Sequence, residues 1–138
     1  MISPAEVIEN ARSWIGVKFL HQGRTRMGCD CLGFIAACMA ELNSWTLISN
    51  LPIDYARNPQ SLLIDGLKDL TREIPLEAGA LILFQFPKAQ HPSHAAIYTG
   101  ESMIHAHEPN RKVVEHGYSG PWLKYTKGYW ALPLVIYQ

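Results

Sequence analysis

Cysteine and histidine are the residues in this 138-residue chain best suited to covalent chemistry, and their spacing is informative. A thiol attacks only as the thiolate, which is a few per cent of a free cysteine at neutral pH, so its surroundings decide whether it reacts. Cys31 follows Asp30, a good helix N-cap, and precedes Leu32-Gly33-Phe34-Ile35. That order predicts Cys31 on the first turn of a helix. Unpaired backbone N–H groups and a partial positive charge there favour the thiolate, and the same N–H groups can hold an oxyanion during acyl transfer. Gly23 and Gly28 in the preceding loop leave room for a substrate backbone. Cys29 reads as a small apolar packing residue, and Cys38 falls on the core stripe of the helix.

A nucleophilic thiol needs a base, and the chain offers His21, His91, His94, His105, His107 and His116. His94 opens the strand-like run His94-Ala95-Ala96-Ile97-Tyr98, whose small residues would let a helix come close. Its neutral imidazole is the expected proton acceptor. His105 lies on the next strand of a predicted hairpin, placed to bind the far nitrogen of His94 and fix its tautomer. His107 shares the face of His105 if the strand continues, and is the rival for that orienting role. His21 is expected to line the cleft, while His91 and His116 read as loop or strand-end residues without special roles. A zinc site built from Cys29, Cys31, His91, His94, His105 and His107 is the alternative use of these ligands. Cys-x-Cys is poor zinc spacing, and no second cysteine pair exists.

The elements that must position these groups are legible in outline. Ser3, Pro4 and Glu6 signal the start of a helix with Val7, Ile8, Ala11, Trp14 and Ile15 on its apolar face and Gly16 as its stop. The second helix carries Phe34, Ile35, Cys38, Met39 and Leu42. Residues 43–58 are irregular, and Asn58-Pro59 can start a third helix with Leu62, Leu63, Leu67 and Leu70 on one face. Strands are predicted at Ala80–Phe86, His94–Thr99, Ser102–Ala106, Lys112–His116 and Tyr129–Tyr137, the last bulged or at an edge because of Pro133. Helices first and consecutive strands last predict an α+β fold, with N-terminal helices on a roughly five-stranded antiparallel sheet, in one domain spanning residues 1–138.

Composition narrows the function. A hydrophobic fraction of 48% against 17% charged residues supports a real core and argues against disorder. Twelve basic and twelve acidic residues cancel, which gives no electrostatic reason to bind nucleic acid or anionic lipid. No apolar run approaches the ~20 residues that span a bilayer. An odd count of three cysteines suits a reducing compartment, and the N-terminus has no signal-peptide pattern.

Together these segments resemble a known group. Trp14 to Gly33, with Cys29-Asp30-Cys31-Leu32-Gly33 at its end, looks like the helix stop, glycine loop and Asp-Cys-Ser-Gly start of the NlpC-type peptidoglycan peptidases, which are papain-like. Glu77-Ala78-Gly79-Ala80, His94 to Tyr98 and Met103-Ile104-His105-Ala106 follow in the same order. His21-Gln22-Gly23, Cys29 to Gly33 and the Met-Ile-His-Ala segment are similar to the branch associated with bacteriophage tails. The resemblance implies Cys31 as nucleophile, His94 as base and His105 as orienting residue, with no metal or cofactor. It implies stem peptides of peptidoglycan as substrate, cut between D-glutamate and meso-diaminopimelate, and phage tail proteins as partners. Asp30 would also recognise a substrate amine, and Gln22 is a candidate oxyanion donor. Two positions depart from the pattern. Phe19 stands where a tyrosine is usual, twelve residues before Cys31, and Leu32 replaces the usual serine. Both are expected to make the substrate-binding end more apolar. The expected setting is synthesis in the bacterial cytoplasm and action on the periplasmic wall, from a phage tail or a secreted particle. A secretion-delivered amidase effector and a non-catalytic tail subunit are the other readings.

Overall fold

The structure is a computed structural model that describes residues 1–55 and 71–138. Helix α1 spans Pro4–Arg12, and strands β1 (Arg24–Thr25) and β2 (Gly28–Cys29) form a small ribbon. Helix α2 (Cys31–Glu41) follows directly, then the short α3 (Thr46–Asn50). The second half supplies β3 (Leu81–Phe84), β4 (His94–Tyr98), β5 (Ser102–His107), β6 (Lys112–Gly117), α4 (Pro121–Tyr125) and β7 (Thr126–Trp130). These strands make one antiparallel sheet in the order β6-β5-β4-β3-β7. The α+β class and the five-stranded antiparallel sheet are therefore as expected. The third helix expected after Asn58 lies outside the described residues.

Helix α1 begins as its sequence dictates, with the Ser3 hydroxyl accepting from the Glu6 N–H at 3.1 Å. It ends earlier than Gly16, at Arg12, and residues 13–16 continue as turns. Val7, Ala11 and Trp14 are buried, whereas Ile15 is exposed. Helix α2 departs further from the expected amphipathic stripe, because every residue from Cys31 to Ala40 is buried. It is the central helix, packed with α1 and α3 on one side and with Leu81, Leu83, Ala95, Ile97, Ile104 and Ala106 of the sheet on the other. A helix enclosed on all sides needs no polar face.

Gly33 explains how the loop before α2 closes on it. A Cβ at Gly33 would lie 1.8 Å from the carbonyl oxygen of Gly23, so no other residue fits while the loop keeps this path. The loop in turn carries β1 and β2 and fixes where α2 starts.

The opposite face of the sheet holds a second cluster of Ile82, Phe84, Ala96, Met103 and Tyr118, covered by Trp122 and Tyr125 of α4. The predicted last strand, Tyr129–Tyr137, is a correction. The strand runs over Thr126–Trp130, and Pro133 lies beyond it. The shift follows from a bulge at Leu83 and Phe84 and from Gly128, whose missing Cβ leaves space that the Trp130 ring fills. Residues after Trp130 turn to pair with the N-terminus instead, with Ile2 N–H donating to the Leu134 carbonyl and Ile136 N–H to the Ile2 carbonyl.

Candidate active site

Cys31 stands on the first turn of α2, as the N-cap pattern predicted. The Asp30 carboxylate accepts from the Gly33 N–H at 2.8 Å, which completes the cap. The backbone N–H groups of Ala95, Leu32 and Cys31 itself act on the sulfur in the direction that favours the thiolate. It is thus held between the helix terminus and the start of β4.

The thiolate expected from this terminus is corrected by burial. Cys31 is 3% exposed, and loss of water pushes its thiol up to about 12, with the neighbouring Asp30 carboxylate adding to the rise. The three backbone donors pull the other way but do not prevail. A rise of that size corresponds to about 4 kcal/mol against the thiolate, whereas a helix terminus supplies up to about 2 kcal/mol in favour. Without substrate the thiol is neutral. The other two cysteines, Cys29 and Cys38, are also buried and free of disulfides, and burial raises each to about 12.

His94 opens β4 and shares a cleft of about 200 Å³ with Cys31. Its ring packs against Phe84 and Phe86 at centroid distances of 5.9 and 5.7 Å. Burial lowers it to about 3, with His107 and His116 adding to the fall, so without substrate it too is neutral. Its Nε2 lies 2.6 Å from Nδ1 of His105, which is fully buried on β5. His107 also lines the cleft, on the same strand face as His105 and 4.8 Å from it between ring centroids. Its Nδ1 pairs with Asn110 Oδ1 at 2.5 Å, so of the two rivals it is His105 that meets His94 nitrogen to nitrogen.

The hydrogen-bonded line does not stop at His105. His105 Nε2 lies 2.8 Å from His116 Nε2, and His116 Nδ1 lies 3.0 Å from the carbonyl oxygen of Gly117. Trp122 of α4 flanks all four rings, at 6.3 Å from His94, 5.1 Å from His105, 5.6 Å from His107 and 5.3 Å from His116. The sequence reading gave His116 no role and did not single out Trp122. For His116 the placement comes from the β5–β6 register: the turn at Glu108–Asn110 pairs His107 with Lys112, which sets Met103 opposite His116 and puts its ring diagonal to His105.

Phe19 and His21 line the cleft as expected, and Phe19 places an apolar edge there. Leu32 does not add to it, since it is buried in the main core. Two further expectations change. Gln22 does not line the Cys31 cleft, and its side-chain amide is committed to Asp54 Oδ1 and the Tyr55 carbonyl. Asp30 is fully buried; besides the Gly33 N–H its carboxylate accepts the Gln22 N–H at 2.9 Å and the Tyr55 hydroxyl. A substrate amine would reach Asp30 only by replacing Tyr55. His21 helps hold that residue, through a 2.9 Å hydrogen bond to its carbonyl oxygen. Among the described residues no three His, Cys, Asp or Glu side chains are arranged to hold a metal ion, and the imidazoles bond to one another instead.

A thiol at a helix N-terminus, beside an imidazole that opens a strand of an antiparallel sheet, defines the papain-like class. The chain belongs to the NlpC/P60 family, whose pattern matches residues 16–131. Solved structures agree on the fold. An NlpC/P60 family protein from Bacillus cereus superposes with a TM-score of 0.65 at 22% identity, covering 91% of this chain and 39% of its own. The NlpC/p60 domain of the peptidoglycan hydrolase SagA gives 0.63 at 20% identity, covering 94% and 98%. The peptidoglycan hydrolase RipB from Mycobacterium tuberculosis gives 0.60 at 18% identity, covering 94% and 63%. The chain thus spans well under half of the Bacillus cereus protein and nearly all of the SagA domain. Comparison with curated protein sequences returns no match.

Proposed function

We propose that this protein is a cysteine hydrolase of peptidoglycan stem peptides, with Cys31 as nucleophile, His94 as base and His105 as orienting residue. The observation that carries the reading is the convergence in one cleft of a sulfur held by backbone N–H groups and an imidazole whose far nitrogen is bonded to a second imidazole. Substrate entry moves the Cys31 proton to His94 as the sulfur attacks the scissile carbonyl. The backbone N–H groups at the start of α2 then face the developing oxyanion. His94 returns the proton to the leaving amine, and water releases the acyl-enzyme. Phe19, without a hydroxyl, leaves the oxyanion to these backbone donors.

The finer assignment is cleavage between D-glutamate and meso-diaminopimelate by a component of a phage or prophage tail, made in the cytoplasm and acting on the periplasmic wall. Support comes from the resemblance of the segments around His21, Cys31 and His105 to the tail-associated branch. Mass spectrometry of digested peptidoglycan tests the bond: fragments ending in D-glutamate or D-isoglutamine are expected. Lactyl-linked peptide would instead mean an amidase, and cleavage between diaminopimelate and D-alanine a crosslink endopeptidase. In the same assay folded Cys31→Ala is expected to be inactive, and His94→Ala to lose more than His105→Ala, which in turn loses more than His107→Ala. A folded, active Cys31→Ala protein would overturn the mechanism. Genes for tail proteins beside this one would support the setting, and an immunity gene would point to an effector.

A further inference from the structure

We propose that His116 is a positioning residue for this reaction, one that sets the tautomer of His94 from two imidazoles away. The inference rests on the cysteine-hydrolase reading and concerns a residue outside the cleft, since His116 is not among its lining residues.

The protons along this line are ordered from a single fixed point, the Gly117 carbonyl. A carbonyl oxygen only accepts hydrogen bonds, so the 3.0 Å contact with Gly117 requires the proton of His116 to sit on Nδ1. In a neutral ring Nε2 of His116 is then an acceptor. His105 Nε2, 2.8 Å away, must be the donor, and that leaves His105 Nδ1 bare. His94 Nε2, 2.6 Å from that bare nitrogen, must carry its own proton. Nδ1 of His94 is left as its one nitrogen able to take the proton of Cys31. Each step has two ring nitrogens and one permitted arrangement, so the Gly117 carbonyl dictates the state of the base across three strands.

The surroundings hold the line in place. His94 comes from β4, His105 and His107 from β5 and His116 from β6, with the Trp122 ring of α4 against all four. His107 Nδ1 is engaged by Asn110, whereas both ring nitrogens of His105 are paired, with His94 and His116. Replacing His116 by a residue without an acceptor would free His105 Nε2 of its partner. Either tautomer of His105 would then be open to it, and in one of them Nδ1 carries a proton and no longer accepts from His94.

Nitrogen-15 NMR of the full chain at neutral pH reads these tautomers directly, without turnover. The expected wild-type pattern is a proton on Nε2 of His94 and His105 and on Nδ1 of His116. His116→Phe is expected to populate the Nδ1-protonated form of His105 and to lower kcat about tenfold or more, with KM within about twofold. His116→Gln offers a side-chain carbonyl to His105, so it should keep the wild-type tautomers and recover kcat to within about threefold. If His116→Phe does not fold, His116→Ala takes its place. A proton on Nδ1 of His105 in the wild type, or a folded Phe or Ala variant with unchanged tautomers, would overturn the proposal. So would a Gln variant as slow as the Phe one. If the tautomers shift as expected but no variant, wild type included, cuts peptidoglycan, the hydrolase reading fails and the histidine line stands.

Discussion

Acid should unfold this protein through its buried imidazoles well before its carboxylates protonate. His94 is 8% exposed and lowered by burial to about 3, and His105 is fully buried and lowered as well. A histidine whose folded value lies below the unfolded one costs nothing above about pH 6.5, where both states are neutral. Stability is then lost as pH falls, because the unfolded chain takes up a proton that the folded chain refuses. For His94 the loss between pH 8 and pH 5 works out at about 2 kcal/mol, set by the unfolded value near 6.5. His105, if it also stays neutral at pH 5, adds as much, for about 4 kcal/mol in all. That is a large part of the stability of an ordinary domain. The assay is urea unfolding of the purified protein at pH 8, 7, 6 and 5, extrapolated to water. His105→Gln should have a flatter profile, losing about 2 kcal/mol less over the same span than the wild type. A wild-type loss below about 1 kcal/mol would mean that the imidazoles protonate freely in the fold, and the reasoning about their burial would be wrong.

Two further outcomes follow from the thiol and the loop that presents it. Alkylation of Cys31 by iodoacetamide in the free protein should keep accelerating past pH 9, because burial lifts the thiol to about 12; a plateau below pH 7 would instead reveal a thiolate already formed. Gly33→Ala should lower the urea midpoint by the equivalent of about 2 kcal/mol or more and reduce turnover, since the added methyl meets the Gly23 carbonyl, and an unchanged midpoint would show that the loop yields freely.

What the sequence disclosed was local, and what it withheld was long-range. The Asp30-Cys31 cap and the strand opening at His94 are readable because an N-cap and a strand start are decided within a few residues. The acidity of Cys31 was misread because it depends on α2 being enclosed on every side, and a stripe of apolar residues does not reveal that the polar positions are covered too. Tyr55 reaches Asp30 from a segment without periodicity, so nothing nearby announces the contact. His116 depends on the register of β6 against β5, where a slip of one residue would turn its ring to the other face. The fifth strand was placed too late because the bulge at Leu83 and the space at Gly128 are properties of the pairing, not of either strand alone.

The Trp122 ring has a consequence for how the molecule can be watched. The indole lies 5.1 to 5.6 Å from the rings of His105, His107 and His116, close enough for a cation on any of these three to interact with it. Imidazolium is an efficient quencher of indole emission, and neutral imidazole is a poor one. Light emitted by this side chain therefore dims when a proton settles among the histidines and recovers when it leaves. With Trp14, Trp45 and Trp130 replaced by phenylalanine, the protein would carry its own optical record of when a proton enters the histidine cluster, with no label attached.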